Sequence, residues 1–232
     1  MPDGSPAITE HHLTVARTAR YYTLGEATAG ATEIWIVCHG FGQLARSFIE
    51  PFRAIARPGL LVIAPEALNR YYLNREGGRA GANARVGGTW MTREDRLAEI
   101  DDYVRYLDAL LREVGGDIPS AVRVTALGFS QGAAVVARWL VHGEARLDRV
   151  ILWCGLLPPE IHPDGEARSR LARGDLHFVC GRNDPMIEAG QVRAQVELLE
   201  RADVPHRVIE FDGGHELDGA TLARLEGSVR ER

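Results

Sequence analysis

Apolar residues in this chain gather into short continuous runs, separated by longer segments with a helical period. The runs are 34–38 (IWIVC), 60–64 (LLVIA), 121–127 (AVRVTAL), 147–153 (LDRVILW) and 176–180 (LHFVC), with a less apolar one at 207–211 (RVIEF). Each is too short for a stable helix and rich in Ile, Val and Leu. That is the pattern of strands covered on both faces. Helices are predicted over 45–55, from Thr92 to about Gly115, after residue 131, and over 187–202 and 217–229. In the second of these, Leu97, Ile100, Val104, Leu107 and Leu111 mark one apolar face. Thr92 is its N-cap candidate, followed by early acids. Partial alternation over 13–24 suggests edge strands, 1–10 a loose tail, 26–32 a turn and 163–173 a polar surface segment. Strand and helix alternate along the chain. The expectation is an α/β fold: a mostly parallel sheet with helices on both faces, in one domain over 1–232.

Residues 65–90 break the pattern. Aromatics come first, then Gly, Arg and Asn with no clear period. We expect a long loop, and loops of that length in a compact domain are commonly functional. With Met91 and Thr92 it would form a rim or lid over the site, because strand-end loops make the rim of such folds. It carries Arg70, Arg75, Arg79 and Arg85 with Tyr71 and Tyr72. The arginines fit either solvated positions or contacts to an anionic or aromatic part of a substrate.

The segment 121–141 holds the most specific signal. A strand pattern runs into Gly128-Phe129-Ser130-Gln131-Gly132 and then into a helix pattern. A G-x-S-x-G at a strand-to-helix corner places a serine on a strained turn, with glycines that let strand and helix approach. The pentapeptide alone also fits a plain turn. A serine hydroxyl becomes a nucleophile only with a general base, which in turn needs an orienting acid. In a parallel sheet such groups gather at the carboxyl ends of strands. His39, Ser130, Asp184 and His215 all follow predicted strands. His215, in a Gly-Gly-His turn, is the base candidate. Asp184, in GRNDP, is the acid candidate, with Glu188 and Asp212 as its nearest rivals. Phe41 N–H, in the His39-Gly40-Phe41-Gly42 turn, and Gln131 N–H are the candidate oxyanion donors. His39 reads as a structural histidine bracing that turn.

Composition narrows the chemistry. A net charge of −5 argues against a nucleic-acid footprint. All 27 basic residues are arginines, so Schiff-base and Ser-Lys mechanisms are excluded. Cys38, Cys154 and Cys180 have no disulfide or metal spacing and read as buried thiols. No cofactor and no metal are expected. The first residues lack a signal-peptide pattern and no run is long enough to span a bilayer. The expectation is a cytoplasmic protein without a stable membrane anchor, as monomer or homodimer.

HGFG (39–42), GFSQG (128–132), LWCGLLP (152–158), GRNDP (181–185) and GGHEL (213–217), in this order, resemble the phospholipase/carboxylesterase family of α/β-hydrolases. That family includes acyl-protein thioesterases and small bacterial carboxylesterases. The resemblance covers roughly 32–229. It implies a serine esterase or thioesterase with Ser130, Asp184 and His215 as catalytic triad, and Phe41 and Gln131 as oxyanion donors. Trp90 matches a family Trp, which implies a place in the acyl pocket. Tyr71, Tyr72 and Leu156 are further substrate-binding candidates. The Arg-rich stretch from Asn69 to Val86 departs from the usual thioesterase segment. A dienelactone or lactone hydrolase is an alternative, although dienelactone hydrolases place Cys where this chain has Ser130. So is a non-catalytic ligand-binding protein on the same fold.

Overall fold

The computed structural model describes residues 7–25, 31–73, 81, 83–115 and 121–227. Its main sheet contains β1 (Tyr21–Leu24), β2 (Glu33–Cys38), β3 (Leu60–Pro65), β6 (Arg123–Phe129), β7 (Arg149–Trp153), β8 (Leu176–Gly181) and β9 (His206–Phe211). The strand order is β1-β3-β2-β6-β7-β8-β9. All neighbours are parallel except β1 and β3. β4 (Asn69–Tyr72) and β5 (Val86–Thr89) form a separate antiparallel hairpin.

The apolar runs account for the buried strands. β2, β3, β7 and β8 are buried at every position, as a sheet sandwiched between helices requires. Alternate side chains enter different cores. Ile34, Ile36 and Val124 point toward α2 (Arg96–Gly115) and α3 (Gln131–His142), where Tyr103, Leu107 and Trp139 are buried. Trp35, Val37 and Leu127 point to the opposite face, against Phe48, Phe52, Leu222 and Leu225. α6 (Gly219–Gly227) and the short α1 (Ala45–Phe48) lie on that side. A large apolar side chain buried in this way stabilises by about 1.5–3 kcal/mol.

The chain leaves β2 for β3 on one side and later reaches β6 on the other. The sheet therefore has its topological switch point between the carboxyl ends of β2 and β6, where open α/β sheets form their sites. His39 follows β2 and Ser130 follows β6.

Local departures have local causes. The expected helix over 45–55 is α1 followed by a 3-10 helix, Glu50–Ile55. Pro51 has no N–H to give a continuous α-helix. α2 begins at Arg96, not Thr92. Thr92 Oγ1 instead accepts the Glu94 N–H at 3.2 Å, in a turn ahead of the helix. Leu97 is 71% exposed, because the first turn of α2 precedes the part that meets the core at Ile100. Residues 163–173 contain α4 (Gly165–Arg173), which buries little besides Leu171. α5 (Ala189–Arg201) follows β8. Of the predicted edge strands over 13–24, only β1 forms. Residues 65–90 hold the β4–β5 hairpin where a loop was expected. Arg75, Arg79 and most of the 26–32 turn lie outside the described residues. Among the described residues, no helix is long and apolar enough to cross a membrane.

Candidate active site

Ser130 sits at the corner between β6 and α3 with φ 55° and ψ −116°. That left-handed region is costly for a residue with a Cβ, by about 1–3 kcal/mol, and it clusters at functional sites. The surrounding backbone holds it there. Ser130 N–H donates to Trp153 O at 2.9 Å, and Ser130 O accepts Ala133 N–H at 3.0 Å. The elbow glycines have no spare room. A Cβ on Gly128 would stand 2.0 Å from Gly132 O, and one on Gly132 would stand 2.2 Å from Cys38 O. We expect Gly132→Ala to lower the free energy of unfolding by about 1–3 kcal/mol or more, as overpacking does. Urea unfolding measures it; an unchanged midpoint would mean that β2 and α3 can part there without cost.

His215 lies in the turn between β9 and α6. Its Nε2 is 2.8 Å from Ser130 Oγ, and its Nδ1 is 3.0 and 2.9 Å from the two Asp184 oxygens. The carboxylate accepts the Nδ1 proton, which leaves Nε2 to accept the Ser130 hydroxyl proton. The Phe129 ring packs beside the imidazole at 5.0 Å. The Asp184 side chain is 1% exposed. Burial pushes its carboxyl up. The Met186 N–H, His215 and the Cys154 thiol oppose this and together hold it below the usual carboxylate range. The rival acids stand elsewhere. Glu188 caps α5, and exposed Asp212 faces Asn183 at 3.5 Å.

The turn after β2 meets the elbow directly. A Cβ on Gly40 would stand 3.3 Å from Ser130 Cβ. Among the described residues, neither Phe41 N–H nor Gln131 N–H donates to a protein acceptor. Unengaged N–H groups are what a pair of oxyanion donors requires. His39 is buried, with Nδ1 donating to Gly40 O at 2.8 Å and Nε2 accepting Ala67 N–H at 3.1 Å. Burial lowers its pKa, which keeps the ring neutral and its bracing bonds intact.

The substrate-binding candidates spread over different environments. Trp90 is buried, donates its indole N–H to His39 O at 2.9 Å and packs on His39 and Tyr103. The Tyr71 ring leans on Phe41 at 5.3 Å, while Tyr72 on the other face of β4 is exposed. Leu156 is half-buried after β7. Arg70 is tied to Glu66 at 3.3 Å. Arg85 instead lines a cavity of about 580 Å³ that opens beside His215, with Leu44, Phe48, Phe129 and Leu217 among its walls.

Cys154, expected only as a buried thiol, lies against the His215 turn. It has φ 46° at the end of β7, and its Sγ lies 3.7 Å from Gly214 O and 3.8 Å from Glu216 O. Burial, and then the neighbouring Asp184, push its thiol up to about 12. It therefore stays protonated under the His215 turn as a hydrogen-bond donor.

Comparison with known proteins places the chain in a family. A model of the phospholipase/carboxylesterase family matches residues 24–231. The chain belongs to that family. Its fold is the α/β-hydrolase fold, and the family is one of carboxylesterase- and thioesterase-type hydrolases. Among solved structures, Zea mays acyl-protein thioesterase 2 superposes with a TM-score of 0.69 at 16% identity, covering 92% of this chain and 99% of that one. The Bacillus cereus carboxylesterase gives 0.65 at 17% identity, covering 92% and 94%. Esterase PE8 gives 0.65 at 20%, covering 93% and 99%. At these identities the likeness speaks for the fold. Compared with curated protein sequences, the chain finds no match.

Proposed function

We propose that this phospholipase/carboxylesterase family member is a serine hydrolase that cleaves a carboxylic ester or thioester through an acyl-enzyme on Ser130. The observation that carries this is the pair of short contacts from one imidazole, 2.8 Å to Ser130 Oγ and 2.9 Å to Asp184. They supply a base aligned with a nucleophile and an acid aligned with the base. Residues 1–232 would act as one hydrolase domain, with 65–92 as the rim of its site.

In the first step Ser130 Oγ bonds to the acyl carbon, and its proton passes to His215 Nε2. The carbonyl electron pair moves onto oxygen, which Phe41 N–H and Gln131 N–H receive. Asp184 stabilises the imidazolium that has formed. The carbonyl reforms, the bond to the alcohol or thiol breaks, and the leaving atom takes the proton from Nε2. Water then repeats the sequence, giving its proton to His215 and releasing the acid from Ser130. The cavity beside His215 has apolar walls that suit a hydrocarbon portion of the substrate.

A fluorophosphonate probe tests this. Its phosphorus is attacked by an activated serine, with loss of fluoride. Wild-type protein should gain the mass of one phosphonyl group, and peptide mapping should place it on Ser130. Folded protein that stays unlabelled at saturating probe would overturn the proposal.

A further inference from the structure

The hairpin at the rim is bound to both segments that carry the oxyanion donors. On one side it pairs with the turn after β2. Gly42 N–H donates to Gly88 O at 2.8 Å, and Gly88 N–H donates to Gln43 O at 2.9 Å. The approach is close enough that a Cβ on Gly87 would stand 2.6 Å from Gly42 O. Inside that turn, Gln43 Oε1 accepts Gly40 N–H at 2.8 Å.

On the other side the hairpin's exit, residues 89–91, is held by the Gln131 side chain. Gln131 Oε1 accepts Trp90 N–H at 3.1 Å. Gln131 Nε2 donates to Met91 O at 3.0 Å and to Thr89 Oγ1 at 3.1 Å. Thr89 Oγ1 passes its own proton to Met91 O at 2.8 Å. The amide's oxygen and both its donor protons are engaged, and Thr89 Oγ1, closest to Met91 O, also stands 3.3 Å from Gln131 Oε1. A fully satisfied side-chain network is stiff, and Thr89 within it is 4% exposed. Trp90, the central residue of this exit, also grips His39 O from beneath.

We propose that the β4–β5 hairpin is the spacer that sets the distance between the two oxyanion donors, and that the Gln131 side chain is its positioning residue. The residue whose backbone N–H faces the oxyanion carries, on its side chain, the latch to the hairpin. The hairpin carries the latch to the other donor's turn. Phe41 has little else to hold it: it is 59% exposed, and its ring rests on Tyr71 of the same hairpin. Oxyanion stabilisation depends on donor placement to within a few tenths of an ångström, so a slack spacer costs rate more than binding. This inference rests on the serine-hydrolase reading.

Gln131→Met tests it, since the side chain keeps its length and loses all three bonds. The concentration of competent sites is first fixed by the end point of fluorophosphonate labelling. Per titrated site, kcat on a p-nitrophenyl ester should fall about 10- to 50-fold, short of the loss of a whole donor, with KM within about twofold. Inhibition by a trifluoromethyl ketone, whose adduct places an oxyanion in the same cradle, should weaken by a similar factor. Thr89→Val should shift both in the same direction by less, and it serves if Gln131→Met does not fold. A merely structural role would lower the number of titrated sites and leave kcat per site unchanged; that result overturns the inference while wild-type turnover keeps the hydrolase reading. Wild-type protein that neither labels nor turns over removes both.

Discussion

Ser130→Ala is expected to reduce hydrolysis of a short p-nitrophenyl ester by about 10⁴- to 10⁶-fold and to leave the fold standing. The size follows from the unit in which Ser130 works. Without Oγ there is no atom to form the acyl-enzyme, and the His215–Asp184 pair has nothing to activate except water held by the oxyanion donors. The survival of the fold follows from what holds the elbow. Ser130 is anchored by its backbone to Trp153 and Ala133, and its side chain caps no helix. Alanine keeps the Cβ and loses one hydrogen bond to His215, worth about 1 kcal/mol. Thermal unfolding should therefore move by only a few degrees. Purified variant that retains more than about 1% of the wild-type rate would rule out Ser130 as nucleophile.

The same geometry explains what was legible in the sequence. Ser130, Asp184 and His215 each follow a strand that is buried on both faces or packed at the sheet's end. The apolar runs announced the strands, and the strand ends located the groups. The expectation of a mostly parallel sheet rests on the same runs and agrees with the observed topology. The hairpin was not legible. β5 is VGGT, and its glycines carry no alternation. Gly87 is required because the backbone of Gly42 lies against it, a long-range reason that no local pattern records. The Gln131 side chain was hidden for a similar cause. Its partners are main-chain atoms of Trp90 and Met91 and the Thr89 hydroxyl, some 40 residues away. Trp90 suggested an acyl pocket by resemblance; in the structure it is buried and donates to His39 O in the turn after β2, a bond that the sequence pattern does not record. Leu97 fitted the helical period of α2 and failed for want of a neighbour, since periodicity marks a face but not where along the helix the core begins.

Asp184→Asn should lower kcat by about 10⁴-fold with little change in KM. Volume and shape are preserved, so the loss isolates the role of charge and of the proton on His215. The carboxylate can only accept, which fixes the proton on Nδ1 and leaves Nε2 free for Ser130. An amide offers N–H donors to Nδ1 instead. The proton then moves to Nε2, which can no longer accept from Ser130 Oγ. Met186 N–H reinforces this preference, because it donates to Asp184 Oδ1 at 2.7 Å. The substitution should also change stability in acid, with a defined sign. The Asp184 pKa is depressed in the folded protein, so its contribution is present above the ordinary carboxylate range and is lost as pH falls through the depressed folded value. The neutral amide has no such dependence. Urea midpoints measured through the acidic range should fall less steeply for Asp184→Asn than for the wild type. Parallel curves would mean that Asp184 is not held ionised by its surroundings, and a variant with near wild-type kcat would remove it from the triad.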